Sequence, residues 1–318
     1  MLGAGFSVAD QFPLIRGLRA RVIHFLEAER HVAYRVFFEP GNGGFSRGQF
    51  YEGLHRVDPA ESMEFEELLI ALAERCQSST GPDPCFITYR VLKTGCARLI
   101  WCIHNSIWRP STPYQNFAAW LQRWLRVENS PLVVSFNWDL HLERVLTDAG
   151  IPWSYSLSTS GVSILKPHGS INWSGHLREG LRAEYNGWHP LGHGSKIAYD
   201  SNNPLSNPNM QEINSDLRYM IYPGDPDLPT SDEDVKWIWS QVEHGLSDAE
   251  SLVFIGYSLP DYDTFASTFF PRFASVKAVE VYTPSDAHLE RYRHLFGPSV
   301  DCHAIPFEHC QYAITAPT

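Results

Sequence analysis

Residues 131–146 read PLVVSFNWDLHLERVL, and this stretch decides the fold. It opens with the apolar run 132–136, whose β-branched members are typical of a strand buried on both faces of a parallel sheet. Apolar residues then recur at helical spacing over 140–146. Asn137 and Asp139 lie in the turn between this strand and this helix, where open parallel sheets bind their ligands. Without a ligand, Asp139 would be only a helix cap and Asn137 only a turn residue.

Composition limits the kinds of partner. The chain has 318 residues, of which 43% are hydrophobic and 19% are charged, as expected for a folded globular protein. Its formal net charge of −11, with no run of Lys or Arg, argues against direct nucleic-acid binding. No stretch approaches the roughly 18 apolar residues of a membrane helix, and no secretory signal pattern follows Met1. We therefore expect a cytoplasmic protein with no membrane partner.

The cysteine pattern does not predict a metal site. The six cysteines include no CxxC pair, and none falls between Cys102 and Cys302. We expect reduced, mostly buried thiols and no structural zinc. His189 and His193 are four residues apart, but Pro190 and the nearby glycines make a shared helix face improbable, so they are weak metal-ligand candidates.

The first 130 residues are expected to be largely helical. Apolar residues recur at helical spacing over residues 12–30, 63–76, 86–108 and 113–127. We therefore expect a helical insertion at about residues 14–128. Glu64, Glu66 and Glu67 are expected to form a solvated helix face. A polar segment at about residues 174–235, rich in Gly, Pro, Asn and Ser, predicts loops and short strands near the ligand.

Apolar strands alternate with helices from residue 130 to residue 296, which predicts a doubly wound parallel α/β sheet. His168 follows one of these strands and precedes a glycine, and either an acid–base role or a structural role fits this position. Gly3 and Gly5 would let the backbone approach a pyrophosphate. Only Met1 and Leu2 precede them, so we expect a very short strand or a trimmed start, and a flexible terminus would also explain the glycines.

Four motifs occur in a fixed order: Gly3-Ala4-Gly5-Phe6-Ser7, Ser135-Phe136-Asn137-Trp138-Asp139, Lys166-Pro167-His168-Gly169-Ser170 and Ile255-Gly256-Tyr257-Ser258-Leu259-Pro260. Together they resemble the sirtuin-like family, and specifically its NAD-cleaving branch in prokaryotic anti-phage defence systems. Three features depart from the family pattern. The four-cysteine zinc module of protein-deacylating sirtuins is missing, Gln11-Phe12 stand where a glycine is usual after the first motif, and Phe136 replaces a glutamine.

The resemblance implies a single Rossmann-like domain over residues 1–318 that takes NAD as its substrate and needs no metal. Asn137 and His168 would be catalytic: Asn137 would orient the nicotinamide ribose and the attacking water, and His168 would be the base. The dinucleotide-binding residues that it implies are Gly3, Ala4, Gly5, Ser7, Asp139, Gly256, Ser258, Thr283 and Ser285. The first motif would line the pyrophosphate, the fourth would meet the adenosine half, and Asp139 would hold the nicotinamide pocket.

Three functions stay open at this point. The first is an NAD glycohydrolase that gives ADP-ribose and nicotinamide in an anti-phage defence system. The second is an NAD-dependent protein deacylase, and the third is a non-catalytic sensor that binds NAD or ADP-ribose. The sequence also leaves open the activating trigger and whether the chain acts as a homo-oligomer or with a regulatory partner protein.

Overall fold

The computed structural model describes residues 1–14, 17–28, 46–77, 83–107, 109–126, 131–158, 160–174, 188–190, 198–200, 205, 218–220, 232–273 and 278–310. His193 and most of the expected loop-rich segment lie outside these residues. Within the described part of the chain, every helix is too short or too polar to span a bilayer.

Within the described residues, six α-helices precede strand β1: α1 (Ala4–Ser7), α2 (Leu18–Ala28), α3 (Arg47–Val57), α4 (Phe65–Gln77), α5 (Pro84–Ser106) and α6 (Thr112–Arg126). Helices α4 to α6 agree with the predicted stretches to within two residues at each end. Helix α2 begins later than predicted, because Gly17 has φ +83° and cannot belong to a right-handed helix. Helix α3 was not predicted; Ser46 and Gln49 form a capping box at its start.

Three parallel strands follow: β1 (Leu132–Val134), β2 (Trp153–Ser154) and β3 (Val162–Leu165). Their order is β1-β3-β2, and Leu132 pairs with Ser163. Helix α7 (His141–Asp148) lies between β1 and β2 in the chain, as the helical spacing after residue 139 predicted. All of β3 is buried, which is why its sequence shows no alternation of polar and apolar residues.

A second, antiparallel sheet contains β4 (Gly169–Ser174), β5 (Trp188–Pro190), β6 (Ala198–Asp200) and β7 (Arg218–Met220). Their order is β5-β6-β4-β7. His189 lies in β5. Helix α8 (Glu233–Ser247) follows and begins at the side-chain cap of Asp232.

The last strands, β8 (Ser251–Ile255), β9 (Ala278–Tyr282) and β10 (Asp301–His303), form another parallel sheet in the order β10-β9-β8, and helices α9 (Thr264–Phe269) and α10 (Asp286–Phe296) connect them. Leu2 makes parallel bridges to both Ser135 and Ile255. The chain start therefore lies between β1 and β8. Strands and helices form an α/β fold with small parallel sheets, and a single doubly wound sheet stays a prediction.

The buried side chains divide into three clusters. Helices α2 to α5 pack with one another and with Trp138, Leu140 and Ile171. Helix α6 packs instead with Leu2, Phe6 and the strand residues of β1 and β3. Helices α8 to α10 cover β8 and β9. The last helix of the expected insertion thus belongs to the layer that covers the parallel strands.

Candidate active site

A cavity of about 530 Å³ lies where the chain leaves β1, β3, β8 and β9. This volume is in the range of small-molecule sites, roughly 300–1,000 Å³. Every site residue expected from the sequence lines it: Gly3, Ala4, Gly5, Ser7, Asn137, Asp139, His168, Gly256, Ser258, Thr283 and Ser285. The four motifs, which are far apart in the chain, therefore meet around one space.

The glycines of the first and fourth motifs are needed for packing between two turns. The amide N of Gly5 donates to Gly256 O at 3.0 Å. A Cβ placed on Gly3 would lie 2.4 Å from Tyr257 Cα, and a Cβ on Gly256 would lie 2.5 Å from the Gly5 carbonyl carbon. Gly256 also has φ +62°, which side chains other than glycine rarely adopt. Ligand approach is therefore not the only reason for these glycines.

Asn137 is held by a residue of the first motif. Its Nδ2 donates to Ser7 Oγ at 3.0 Å, and both side chains are buried. Ser7 ends α1 and Asn137 follows β1, so this hydrogen bond joins the first turn of the chain to the end of a strand. A side-chain hydrogen bond between two buried residues fixes the amide rotamer at the edge of the cavity.

Asp139 stabilises the start of α7, although Leu140 occupies the N-cap position itself. Asp139 Oδ1 accepts a hydrogen bond from the backbone N of His141, the first residue of α7, at 2.9 Å. The backbone O of Asp139 accepts from Lys166 Nζ at 2.6 Å, and Lys166 Nζ lies 3.0 Å from Glu143 Oε1. Lys166 and Glu143 are both buried, so this ion pair ties the end of β3 to α7 directly behind the cavity.

His168 lies at the tip of a tight turn and faces a carboxylate. Gly169 has φ +76° and donates from its N to Lys166 O, so the His-Gly sequence makes the turn. His168 Nε2 lies 3.2 Å from Asp263 Oδ2. The Tyr257 hydroxyl donates to the same Asp263 oxygen, while Asp263 Oδ1 accepts from Ala266 N and caps α9. An imidazole held by a fixed carboxylate is suited to acid–base chemistry.

Asp263 had no role in the sequence-based prediction. It is 1% exposed and directly precedes α9. The available signal was an Asp in front of a helical pattern, five residues after Ser258 of the fourth motif. Its contact with His168 depends on the tertiary approach of β8 and β3 and is not visible in the local sequence.

Glu66 was predicted to face solvent, and this prediction is wrong. Its side chain is 5% exposed, lines the cavity and accepts a hydrogen bond from the Tyr262 hydroxyl. Burial raises the pKa of Glu66 to about 7, against smaller lowering effects of the Tyr262 hydrogen bond and the His168 charge. Glu67 is exposed, as predicted. Glu66 differs because it lies three residues before the buried Leu69, beside the apolar face of α4.

The described residues also contain one group of side chains that could ligate a metal, Glu280, Asp301 and His303, whose ligand atoms lie within 4.8 Å of one another. None of them lines the cavity. All six cysteines are thiols outside any disulfide. Only Cys85 and Cys96 are buried, whereas Cys76, Cys302 and Cys310 are half-buried and Cys102 is exposed, so fewer thiols are buried than expected.

The cavity thus combines a tight backbone turn, an immobilised amide, an imidazole held by a carboxylate and a buried carboxyl group. Together these groups could bind an elongated polar ligand and activate a water molecule beside it. No protein-family model matches the chain, and no curated protein matches its sequence.

Proposed function

We propose that this protein is an NAD glycohydrolase of the sirtuin-like family, which cleaves the nicotinamide–ribose bond to give ADP-ribose and nicotinamide. The observation that carries the proposal is the meeting of four ordered motifs around one cavity, with Asn137 and His168 both at its wall. The resemblance of these motifs to the anti-phage branch of that family supports a role in defence.

We also infer that Leu2 is the central strand of one doubly wound, Rossmann-like sheet. Its bridges to Ser135 and Ile255 support the order β2-β3-β1-Leu2-β8-β9-β10, with every neighbour parallel. On one side of Leu2 the chain moves outward from β8 to β10, and on the other it passes from β1 to the edge strand β2 and returns to β3 between them. The two halves of the sheet diverge at Leu2, so the switch point lies between β1 and β8. Open α/β sheets bind ligands at this point, which is where the cavity lies.

The chemistry requires few groups. The nicotinamide ring of NAD is cationic and leaves as a neutral base, so no acid is needed to protonate the leaving group. The transition state resembles an oxocarbenium ion, as in glycoside hydrolysis. A water molecule then forms a bond to C1′ of the ribose as the C1′–N bond breaks, and its proton goes to a base.

In this scheme His168 accepts the proton and Asp263 orients the ring and stabilises its charged form. Asn137, fixed by Ser7, orients the ribose and the water. The glycine turn of residues 3–5 takes the pyrophosphate, while Ser258, Thr283 and Ser285 line the adenosine end. The protein supplies position and charge, and NAD supplies the reactive bond.

A nicotinamide-release assay on the purified chain tests this proposal. NAD is supplied alone and, in parallel, with an acyl-lysine peptide, and nicotinamide, ADP-ribose and deacylated peptide are quantified. A hydrolase releases nicotinamide and ADP-ribose at the same rate in both reactions. Release only with peptide would identify a deacylase, and binding of NAD by calorimetry without any release would identify a sensor; either result refutes the hydrolase.

A further inference from the structure

Glu66 is a buried carboxyl group in the cavity that the scheme above does not use. Among the described residues it forms no ion pair with Lys, Arg or His, and the Tyr262 hydroxyl is its hydrogen-bond partner. An ionised carboxylate buried without a cation is costly, so proteins seldom keep one unless it has a partner. Glu66 is part of the cavity wall, so a ligand bound in the cavity can supply the missing positive charge.

The position of Glu66 places it at the reactive end. Tyr262, whose hydroxyl donates to Glu66, directly precedes Asp263 in the chain, and Asp263 holds His168. Leu18, Ile100 and Trp138 line the same cavity and provide apolar surroundings. Apolar walls weaken dielectric screening, so a carboxylate in this position would interact strongly with a nearby positive charge.

We propose that Glu66 is a further catalytic residue, whose carboxylate stabilises the positive charge at the nicotinamide–ribose end of the substrate before and during bond cleavage. This inference rests on the proposed function. The substrate carries one positive charge on its nicotinamide ring, and this charge passes to the ribose as the C1′–N bond breaks and its electron pair goes to the nicotinamide nitrogen. A fixed carboxylate can stabilise this positive charge during the whole reaction, because the charge stays in the site as it passes from the ring to the ribose. Glu66 takes no part in proton transfer during bond cleavage; the proton from water goes to His168.

The proton on Glu66 must leave before it can act in this way. Burial raises its pKa to about 7, so the free protein holds a substantial fraction of Glu66 protonated near neutral pH. The titratable groups that act on it or respond to its charge are Tyr262, His168, Asp263, Cys96 and Tyr257. A cationic nicotinamide ring favours the ionised form, so NAD⁺ binding should tighten as pH rises through 7 and should release a proton.

The first test compares two ligands that differ in charge. NAD⁺ has a cationic nicotinamide ring and NADH a neutral one, and His168→Ala is the background because it should not hydrolyse NAD⁺. Calorimetry at pH 8 should show that this variant prefers NAD⁺, and adding Glu66→Gln should reduce the preference by about tenfold or more. Adding Glu74→Gln, an exposed carboxylate on the same helix, should leave the preference unchanged.

The second test measures turnover. Glu66→Gln in the otherwise wild-type chain should lower kcat for nicotinamide release by ~10²-fold or more, and Glu66→Asp should recover part of it. Tyr262→Phe keeps the carboxylate but removes a hydrogen bond that lowers its pKa, so the acidic limb of its pH profile should move to higher pH. If Glu66 only held α4 against the turn of residues 260–263, Tyr262→Phe and Glu66→Gln would instead have the same effect on turnover and on its pH profile.

The outcomes separate this inference from the proposed function. If the wild-type chain releases nicotinamide and Glu66→Gln keeps both the rate and the NAD⁺ preference, the role of Glu66 is refuted and the hydrolase stands. If the wild-type chain releases no nicotinamide but Glu66→Gln still removes the preference for NAD⁺ over NADH, both the hydrolase and the catalytic role of Glu66 are refuted. Glu66 is then the group that recognises the cationic ring.

Discussion

At the scale of single residues, Gly256 sets the distance between the two turns that form one wall of the cavity. Its α-carbon packs against the backbone of Gly5 and Phe6, and its φ of +62° excludes most other residues. Gly256→Ala should therefore lower the free energy of unfolding by about 3 kcal/mol, through overpacking and left-handed strain together.

Gly150→Ala is the matched control for this substitution. Gly150 has φ +67°, but a Cβ there would meet nothing within 4 Å. Gly150→Ala therefore adds only the strain of the left-handed conformation, and it should lower the free energy of unfolding by about 1–2 kcal/mol. Urea denaturation of both variants measures the difference, and equal losses would mean that the close packing of the two turns is unimportant.

Asp263 is expected to act through His168. Asp263→Asn keeps an Oδ1 that can cap α9, but it replaces the charged oxygen that faces the imidazole and accepts from Tyr257 with an uncharged NH₂ group. Turnover should fall by about 10- to 100-fold, the usual effect of losing a group that orients a functional histidine. Asp261→Asn, two residues away, exposed and paired with Arg291, should keep the wild-type rate. Equal rates for both variants would remove Asp263 from the mechanism.

Glu66 should make stability depend on pH. Its pKa is raised from an ordinary value of 4.5 to about 7 by burial, so between these values the unfolded chain has lost the proton that the folded chain keeps. Folding stability from this group therefore falls as pH rises through that window. Glu66→Gln should raise Tm relative to the wild-type chain at pH 8 and change it little at pH 4. A uniform loss of Tm at every pH would show a structural role instead.

Asn137 and His168 became candidates because each follows an apolar strand, and a residue in that position in a parallel sheet reaches the ligand edge; their catalytic roles were implied by the family resemblance. The sequence did not predict Glu66, because Glu64, Glu66 and Glu67 together look like a solvated helix face. Glu66 is buried, and its hydrogen-bond partner Tyr262 comes from far along the chain. Contacts of this kind depend on tertiary structure and leave little trace in local spacing.

At the scale of elements, the buried ion pair between Lys166 and Glu143 joins β3 to α7. Lys166 Nζ lies 3.0 Å from Glu143 Oε1, and Glu143 also accepts from the Tyr155 hydroxyl. Lys166→Met leaves a buried carboxylate without its cation and should cost about 3–5 kcal/mol of unfolding free energy. Combining it with Glu143→Gln should recover part of this loss, because the amide can keep the Tyr155 hydrogen bond.

The surface pair of Arg272 and Glu243 is the control for the buried one. Its two side chains are 59% and 47% exposed, and Arg272→Met should cost less than about 1 kcal/mol. Guanidinium unfolding of all three variants measures these losses. If Lys166→Met costs no more than Arg272→Met, the pair does not hold β3 and α7 together.

Secondary structure was predictable where one apolar face is continuous. Helices α4 to α6 have such faces, and their ends were found to within two residues. Helix α3 was not predicted because the sequence just before and at its start, residues 41–48, reads GNGGFSRG, and such a glycine-rich composition is typical of a turn. The packing of α6 with Leu2 and β1, rather than with the other helices of the insertion, depends on which faces meet and could not be read from spacing.

At the scale of the whole molecule, the cavity exists only when distant parts of the chain meet. Ser7 comes from the chain start, Glu66 from the helical region, Asn137 and His168 from the ends of β1 and β3, and Asp263 from the turn after β8. The central claim is that this assembly hydrolyses NAD, with His168 as the base.

The most direct test measures nicotinamide release, Tm and ADP-ribose affinity on the same preparation of His168→Ala. The base is lost but the turn and the rest of the cavity remain, so the rate should fall by ~10²- to 10⁴-fold while the protein stays folded and binds ADP-ribose. A packing role for His168 would give the opposite pattern, a lower Tm with near-normal activity per folded molecule. Wild-type turnover in folded His168→Ala would contradict the mechanism.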